Sequence, residues 1–421
     1  MSEKIKFVCP ECLRGDKVLS DWVNASEERG SCSYCGLKNQ PVRSANEVAN
    51  YMFGYIKDVY EASVPSLLEI DGVKYDIVCL YTDTNSMLAE VFDYQGDSGG
   101  FASDYRLIGD LADMLRDLAG FGNDEVAWNT KVADPHGEAL IGSWIEFAAV
   151  ISYRRRFLFL ASMEAKDKLL LPRHSALEIL KILGEELKER GLRKNVEKGK
   201  MVYRVRVAKN GEVFDDVKDL GAPSAEKAAA GRMNPPGIPY FYAAFDQLTA
   251  CAEVCSDAPS VIHVAYISAW QTRKDLEIID LSSLGECPSF FDRENIQNRA
   301  GHRFLQEFIA TVCRPLPAGD VAQLAYIPAQ VVSEYFRTVL HVDGVVFRST
   351  RNPTGKCVVL FPSEESDVFP YPFGDMLKLC KPVEKKLVGF EPDLVIPKLK
   401  EKNSFDPWEL SELRRRENAS R

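Results

Sequence analysis

No apolar run in this 421-residue chain approaches the roughly 20 residues that a membrane-spanning helix requires, so an integral helical membrane protein is excluded. Its first residues, MSEKIKFVCPEC, lack the basic and then apolar pattern of a secretory signal, and a cytoplasmic location is the expectation. Excess positive charge is missing too. Lys and Arg number 52 against 62 Asp and Glu, a net charge of −10, which argues against a general nucleic-acid binder. An anionic ligand must therefore be held by local positive charge. There is no internal repeat, so solenoids and propellers are excluded. What remains is the ordinary composition of a soluble globular protein, 46% hydrophobic and 27% charged, long enough for two or three domains with separate cores.

Cysteine is not scarce. Of 11 cysteines, four are paired by spacing as CPEC (Cys9, Cys12) and CSYC (Cys32, Cys35). Each knuckle turns tightly enough to present two thiolates to one tetrahedral ion, and four sulfurs leave no open position for water. The expectation for residues 1–42 is a zinc ribbon with structural Zn2+. The other cysteines sit in apolar surroundings and read as small core residues, not disulfides.

Residues 43–199 read as a mainly helical domain. Ser44 to Glu47 and Ser175 to Glu178 are capping boxes. Val48, Tyr51, Met52, Tyr55, Ile56 and Val59 form the apolar face of the first helix, and Asp104–Leu118 carries a second amphipathic pattern. Tyr75 to Leu80 reads as a strand or a short buried helix. Arg154 to Arg156 reads as a solvated turn, and His136 and His174 as loop or surface residues. The polar run from Lys194 to Lys200 is the expected linker and domain boundary. Residues 200–395 then mix strands and helices without strict alternation, which is α+β. Glu212–Arg232 is a long connection of the kind that serves as a lid. Val345–Phe347 and Val358–Phe361 are expected as the last strands, followed by a charged tail over 396–421.

The chemistry gathers in Gly231 to Glu253, GRMNPPGIPYFYAAFDQLTACAE. Gly and Pro place Arg232 on a loop. Ile238–Ala244 reads as a short strand. Asp246 reads as the N-cap of a helix with Leu248, Cys251, Ala252 and Cys255 on its apolar stripe. Glu253 lies off that stripe, with the small residues Thr249 and Ala250 one turn earlier. Taken singly, Glu253 would be a solvated helix-face residue and Arg232 an ordinary loop arginine.

Their joint order resembles the RES domain. GRMNPPG, then Tyr242, then Glu253 carry the resemblance, with YRVR at Tyr203–Arg206, DGVVFRSTR at Asp343–Arg351 and VVLF at Val358–Phe361. The resemblance implies an ADP-ribosyltransferase-like fold and an NAD+-consuming toxin, paired with an antitoxin or another regulatory protein. It implies that Glu253 stabilises a ribose cation and that Arg204 and Arg232 hold the dinucleotide's phosphates. Tyr242, with Tyr240 as second choice, would stack on nicotinamide, and Ser349 would bond a phosphate or orient Glu253. No His–Asp pattern accompanies Ser349 as it would a nucleophile. Residues 43–199 are similar to the HEPN-type domains that precede RES domains, but hold no Arg and His four to six residues apart, so nuclease activity is not expected.

An oxocarbenium-like transition state gives this residue set its logic. A fixed carboxylate is worth more against a developing sugar cation than against the ground state, and nicotinamide leaves neutral, without an acid. The expectation is an NAD+ phosphorylase or glycohydrolase. An ADP-ribosyltransferase acting on a macromolecule, and a zinc-ribbon regulatory protein with an inactive RES domain, are the alternatives.

Overall fold

The computed structural model describes residues 5–64, 67–70, 73–76, 84, 87–88, 105–122, 126–131, 137–157, 174–208, 212–255, 263–313, 322–363 and 373–388. His136, residues 77–80 of the Tyr75–Leu80 segment and the charged tail lie outside them. None of the helices described is long and apolar enough to cross a membrane. The chain divides into two compact units. Unit 1 is Met1–Leu140, Lys166–Arg173 and Glu286–Phe304; unit 2 is Ile141–Ala165, His174–Gly285 and Leu305–Arg421.

In unit 1, the start of the helix Ala45–Val59 follows from local chemistry. Ala45–Val59 starts at Ser44, whose hydroxyl accepts from the Glu47 amide while Glu47 reaches back to the Ser44 amide. Val48, Met52, Ile56 and Val59 are buried along one face, as their spacing predicts. The helix expected over Asp104–Leu118 runs from Tyr105 to Leu118. The core also takes Phe290 and Phe291, from within the stretch that the sequence assigns to the C-terminal domain. Ser289 Oγ donates to Asp16 Oδ2 at 2.6 Å, and Arg293 pairs with Asp58 at 3.0 Å.

Unit 2 is built on an eight-stranded mixed sheet, the α+β arrangement expected. Its strands are β1 (Arg193–Val196), β2 (Met201–Ala208), β3 (Phe241–Ala244), β4 (His263–Thr272), β5 (Leu276–Asp280), β6 (Gly344–Arg348), β7 (Lys356–Leu360) and β8 (Leu377–Val388). Their order across the sheet is β8-β4-β2-β3-β7-β6-β5-β1; β5 and β6 run parallel and the other neighbours antiparallel. One face buries Val202, Phe241, Trp270, Ile278, Val346, Val358 and Leu360. Burying a phenylalanine such as Phe241 is worth about 2–3 kcal/mol. The other face carries Val205, Ala244, Ala265 and Ile267, against Ala250 of the helix Gln247–Cys255.

Four sequence expectations change. The linker at Lys194–Lys200 begins as part of β1, an edge strand. Arg193 pairs with Glu277 and Lys194 lies 4.0 Å from Asp280, so its polarity is that of a sheet edge facing water. Phe361 does not end the sheet: β8 adds 12 residues on the opposite edge, hidden in the sequence by Lys381-Pro382 and a lysine-rich pattern. The long connection is no lid, because Phe214, Leu220 and Ala222 are buried against the first sheet face. Finally, the stripe read through Leu248 is not the buried one. Leu248 is 57% exposed while Thr249 and Ala250 are buried, because small side chains let the helix lie close on the sheet.

Candidate functional site

Glu253 stands near the end of the helix Gln247–Cys255, which Asp246 caps through the Thr249 amide at 2.7 Å. Its carboxylate is exposed, and Ser349 Oγ meets Glu253 Oε1 at 2.5 Å. Ser349 is itself buried just beyond β6, and its oxygen accepts from the amides of Arg351 at 3.1 Å and Asn352 at 2.9 Å. Both lone pairs are thus occupied, and the hydroxyl proton is left to point at the carboxylate. Ser349 is therefore a donor to Glu253, and no histidine is among its hydrogen-bond partners in the described residues. Cys357 is the nearest alternative nucleophile, but burial and then the Glu253 charge push its thiol far above the usual range, keeping it neutral.

The GRMNPPG loop is braced from within. Tyr242 donates its hydroxyl to Asn234 Oδ1 at 2.7 Å and accepts from the Met233 amide at 3.1 Å. Asn234 Nδ2 spans the carbonyls of Ala229, Pro235 and Ile238, and Gln330 Nε2 holds those of Gly231 and Asn234. Burial raises the phenol of Tyr242 well above its ordinary value. A Cβ on Gly231 would lie 2.4 Å from Asn234 Oδ1 and 2.7 Å from the Tyr242 hydroxyl. Gly231→Ala is expected to cost about 1–3 kcal/mol, visible as a lowered melting temperature; an unchanged melt would show that the loop yields.

Arg232 leaves this loop with Nη1 on the carbonyl of Cys313 at 2.7 Å and its guanidinium 5.7 Å from the Phe347 ring centroid. Cross-strand register places Ala244, Cys357 and Phe347 in one row on one sheet face, and Tyr242 and Ser349 follow on that face by the two-residue alternation. Arg232, Tyr242, Glu253 and Ser349 are thus brought to the same side of the sheet.

Arg204 is not. Its neighbour Tyr203 opposes Ala244, so Arg204 projects from the other face, with its guanidinium 5.5 Å from the Phe241 ring. The β2–β3 ladder holds only that one pair, and Arg204 Nη1 donates to the Tyr242 carbonyl at 2.7 Å beside it. A guanidinium takes the place of a ladder donor where the strands part. Tyr240 is buried against Phe361, ring centroids 4.9 Å apart, and burial raises its phenol to about 12, so it is not open to a ligand.

In unit 1, the Sγ atoms of Cys9, Cys12, Cys32 and Cys35 all lie within 4.8 Å of one another. The second knuckle closes through Gly36, at φ 75°, whose amide donates to the Cys32 carbonyl at 3.2 Å. Burial, together with neighbouring thiols, raises Cys9 to about 12, a crowding that a shared cation relieves. The donor set fits a tetrahedral ion bound by four sulfurs. Of the other described cysteines only Cys357 is buried as a core residue; Cys251, Cys287, Cys313 and Cys380 are partly exposed.

The fold and site together define a mixed α+β protein with a serine-held carboxylate on one sheet face and a cluster of four cysteines, spaced to hold a metal ion, in its N-terminal unit. The RES domain family model matches residues 201–376, and the model for HEPN/RES N-terminal domain 1 matches residues 25–165. The chain is a RES-domain protein carrying a HEPN/RES N-terminal domain. Among curated proteins none matches. Among solved structures it is similar to a chain of the M. tuberculosis MbcT-MbcA toxin-antitoxin complex. That match has 16% identity over 55% of this chain and 98% of that one, with a TM-score of 0.27, too low to define a shared fold.

The sequence marks Thr249 only as a small neighbour of Glu253 and gives no role to Asn234 or Asn352, whereas Asn234 bonds three loop carbonyls and Asn352 bonds Thr249. Asn234 stands inside the quoted motif and Asn352 in a Pro- and Gly-containing turn. Asparagine at such turns commonly bonds the nearby backbone, the one signal that marks them.

Proposed function

We propose that this chain degrades NAD+ by breaking its nicotinamide–ribose bond, on an ADP-ribosyltransferase-like fold, and acts as a toxin restrained by an antitoxin or another regulatory protein. The observation that carries the reading is the Ser349–Glu253 contact. It joins residues 96 apart in sequence and fixes one exposed carboxylate on the sheet face that Arg232 also reaches through Phe347. As the C1′–N bond breaks, its electron pair leaves with nicotinamide, whose ring becomes neutral. Glu253 stabilises the cation left on the ribose, and water or inorganic phosphate bonds to C1′ and releases a proton.

Arg232 would turn from the Cys313 carbonyl to the diphosphate, a planar fork meeting two anionic oxygens. Tyr242 contributes its ring face and not its hydroxyl, which the loop already uses. Arg204 acts at the parting of β2 and β3, on the adenosine side or as a brace. The four-cysteine cluster is assigned to structural Zn2+, remote in kind from this chemistry because its donor set leaves no open position.

Incubating the purified chain with NAD+ tests the reading. Free nicotinamide is expected, with ADP-ribose in phosphate-free buffer or its phosphorylated form when phosphate is supplied. Label on a macromolecule in place of free product would point to transfer, and no nicotinamide release would overturn the proposal.

A further inference from the structure

We propose that Asn352 and Thr249 are positioning residues that set the Glu253–Ser349 pair, an inference that rests on the NAD+-cleaving reading of this site. Asn352 reaches in two directions. Its main-chain amide donates to Ser349 Oγ at 2.9 Å, and its side-chain Nδ2 donates to Thr249 Oγ1 at 2.8 Å. Thr249 stands four residues before Glu253 on the same helix, so the two share a helix face. One residue of the loop therefore grips both the serine and the helix that carries the glutamate.

The direction of this chain is forced. Thr249 Oγ1 donates to Asp246 Oδ2 at 2.7 Å, and the other Asp246 oxygen caps the Thr249 amide at 2.7 Å. A carboxylate accepts, so the threonine hydroxyl must give its proton there and accept from Asn352. That requirement turns the amide nitrogen of Asn352 toward the helix, and its Oδ1 takes the Thr354 hydroxyl at 3.1 Å. Asp246, Thr249 and Asn352 form one relay in which every proton has a single place to go.

Close approach is essential to the clasp. A Cβ on Gly355 would lie 2.0 Å from Thr249 Oγ1 and 2.8 Å from Asn352 Nδ2, so the loop touches the helix only because this residue has no side chain. Thr249 is fully buried at that contact. The loop is also closed on itself, with the Ser349 amide on the Gly355 carbonyl and the Gly355 amide on the Asn352 carbonyl, both at 2.9 Å. A single hydrogen bond between Glu253 and Ser349 would leave both side chains free to turn. With the loop fastened to the helix one turn away, their separation becomes a property of the fold. Displacing a catalytic group by about 1 Å can cost on the order of a hundredfold in rate, so such fastening belongs to the function.

The test uses the full chain and NAD+. Asn352→Ala and Thr249→Val are each expected to lower kcat about tenfold with little change in KM. The double variant should be no slower than either single variant, because both break one connection. Thr249→Ser, which keeps the hydroxyl, should recover most of the lost rate. A merely structural role would lower the melting temperature and leave the kcat of the folded protein unchanged. Wild-type kcat in both Asn352→Ala and Thr249→Val, alongside an inactive Glu253→Gln, would overturn the proposal. If Glu253→Gln itself keeps wild-type turnover, the NAD+-cleaving reading falls and takes the proposal with it.

Discussion

Glu253→Gln is expected to lower kcat for NAD+ cleavage by roughly a hundred- to thousandfold, about 3–4 kcal/mol of transition-state stabilisation. The substitution is nearly isosteric, and the amide oxygen can still accept from Ser349, so the loop and helix keep their contact. What is lost is the negative charge facing the sugar cation. Because that cation exists only near the transition state, the loss should fall on kcat and leave KM for NAD+ within about twofold. The exposed position of Glu253 means that the melting temperature should hardly move. Rates of nicotinamide release measured beside thermal melts separate the two effects. Full turnover by the glutamine variant would leave the site without its central group. In cells, the same substitution should preserve NAD+ levels after induction, where the wild-type chain depletes them.

Loss of the structural zinc proposed for the four-cysteine cluster is the second large effect expected. Binding of structural zinc contributes about 10–16 kcal/mol to the folding of small zinc modules, so the loss of one ligand is felt throughout such a module. Cys9 and Cys12 are fully buried and Cys32 nearly so. Val8 and Leu13, beside the first knuckle, share the core that contains the helix Ala45–Val59. Cys12→Ser, or a strong chelator, should therefore abolish zinc binding and melt this part of unit 1 well below the wild-type temperature. Elemental analysis should find one zinc ion per wild-type chain and none in the variant. A metal-free wild-type protein with an unchanged melt would remove zinc from the account. The alternative of an inactive RES domain is tested by the same material. If NAD+ turnover persists in Cys9→Ser and disappears in Glu253→Gln, the activity belongs to the RES domain.

Much of the architecture was legible because it is local. Ser44 with Glu47 and Ser175 with Glu178 mark two helix starts, each satisfying orphan amides within four residues, and both capping boxes are present. The alternation over Val202–Val207 and the short segment Leu276–Ile279 read as strands, and they lie within Met201–Ala208 and Leu276–Asp280. The edges of the sheet were not legible. β1 and β8 carry Arg, Lys and Pro because edge strands face water and must resist further pairing, so β1 reads as linker and β8 shows no strand pattern. The long connection misled for the opposite reason. Its Phe214 and Leu220 are too widely spaced for a periodic signal, yet a sheet face waits for them.

For the site, residue types and order in the chain determined that one carboxylate, one serine, one tyrosine and two arginines were worth watching, and that four cysteines formed a set. Only the folded chain decided which of them meet. Sheet pleating sends adjacent side chains to opposite faces, so Arg204 parts from Tyr242 even though its guanidinium still touches that residue's carbonyl. Ser349 reaches Glu253 across 96 residues because a helix and a turn close on each other at Gly355, and a contact at that separation leaves no trace in local spacing.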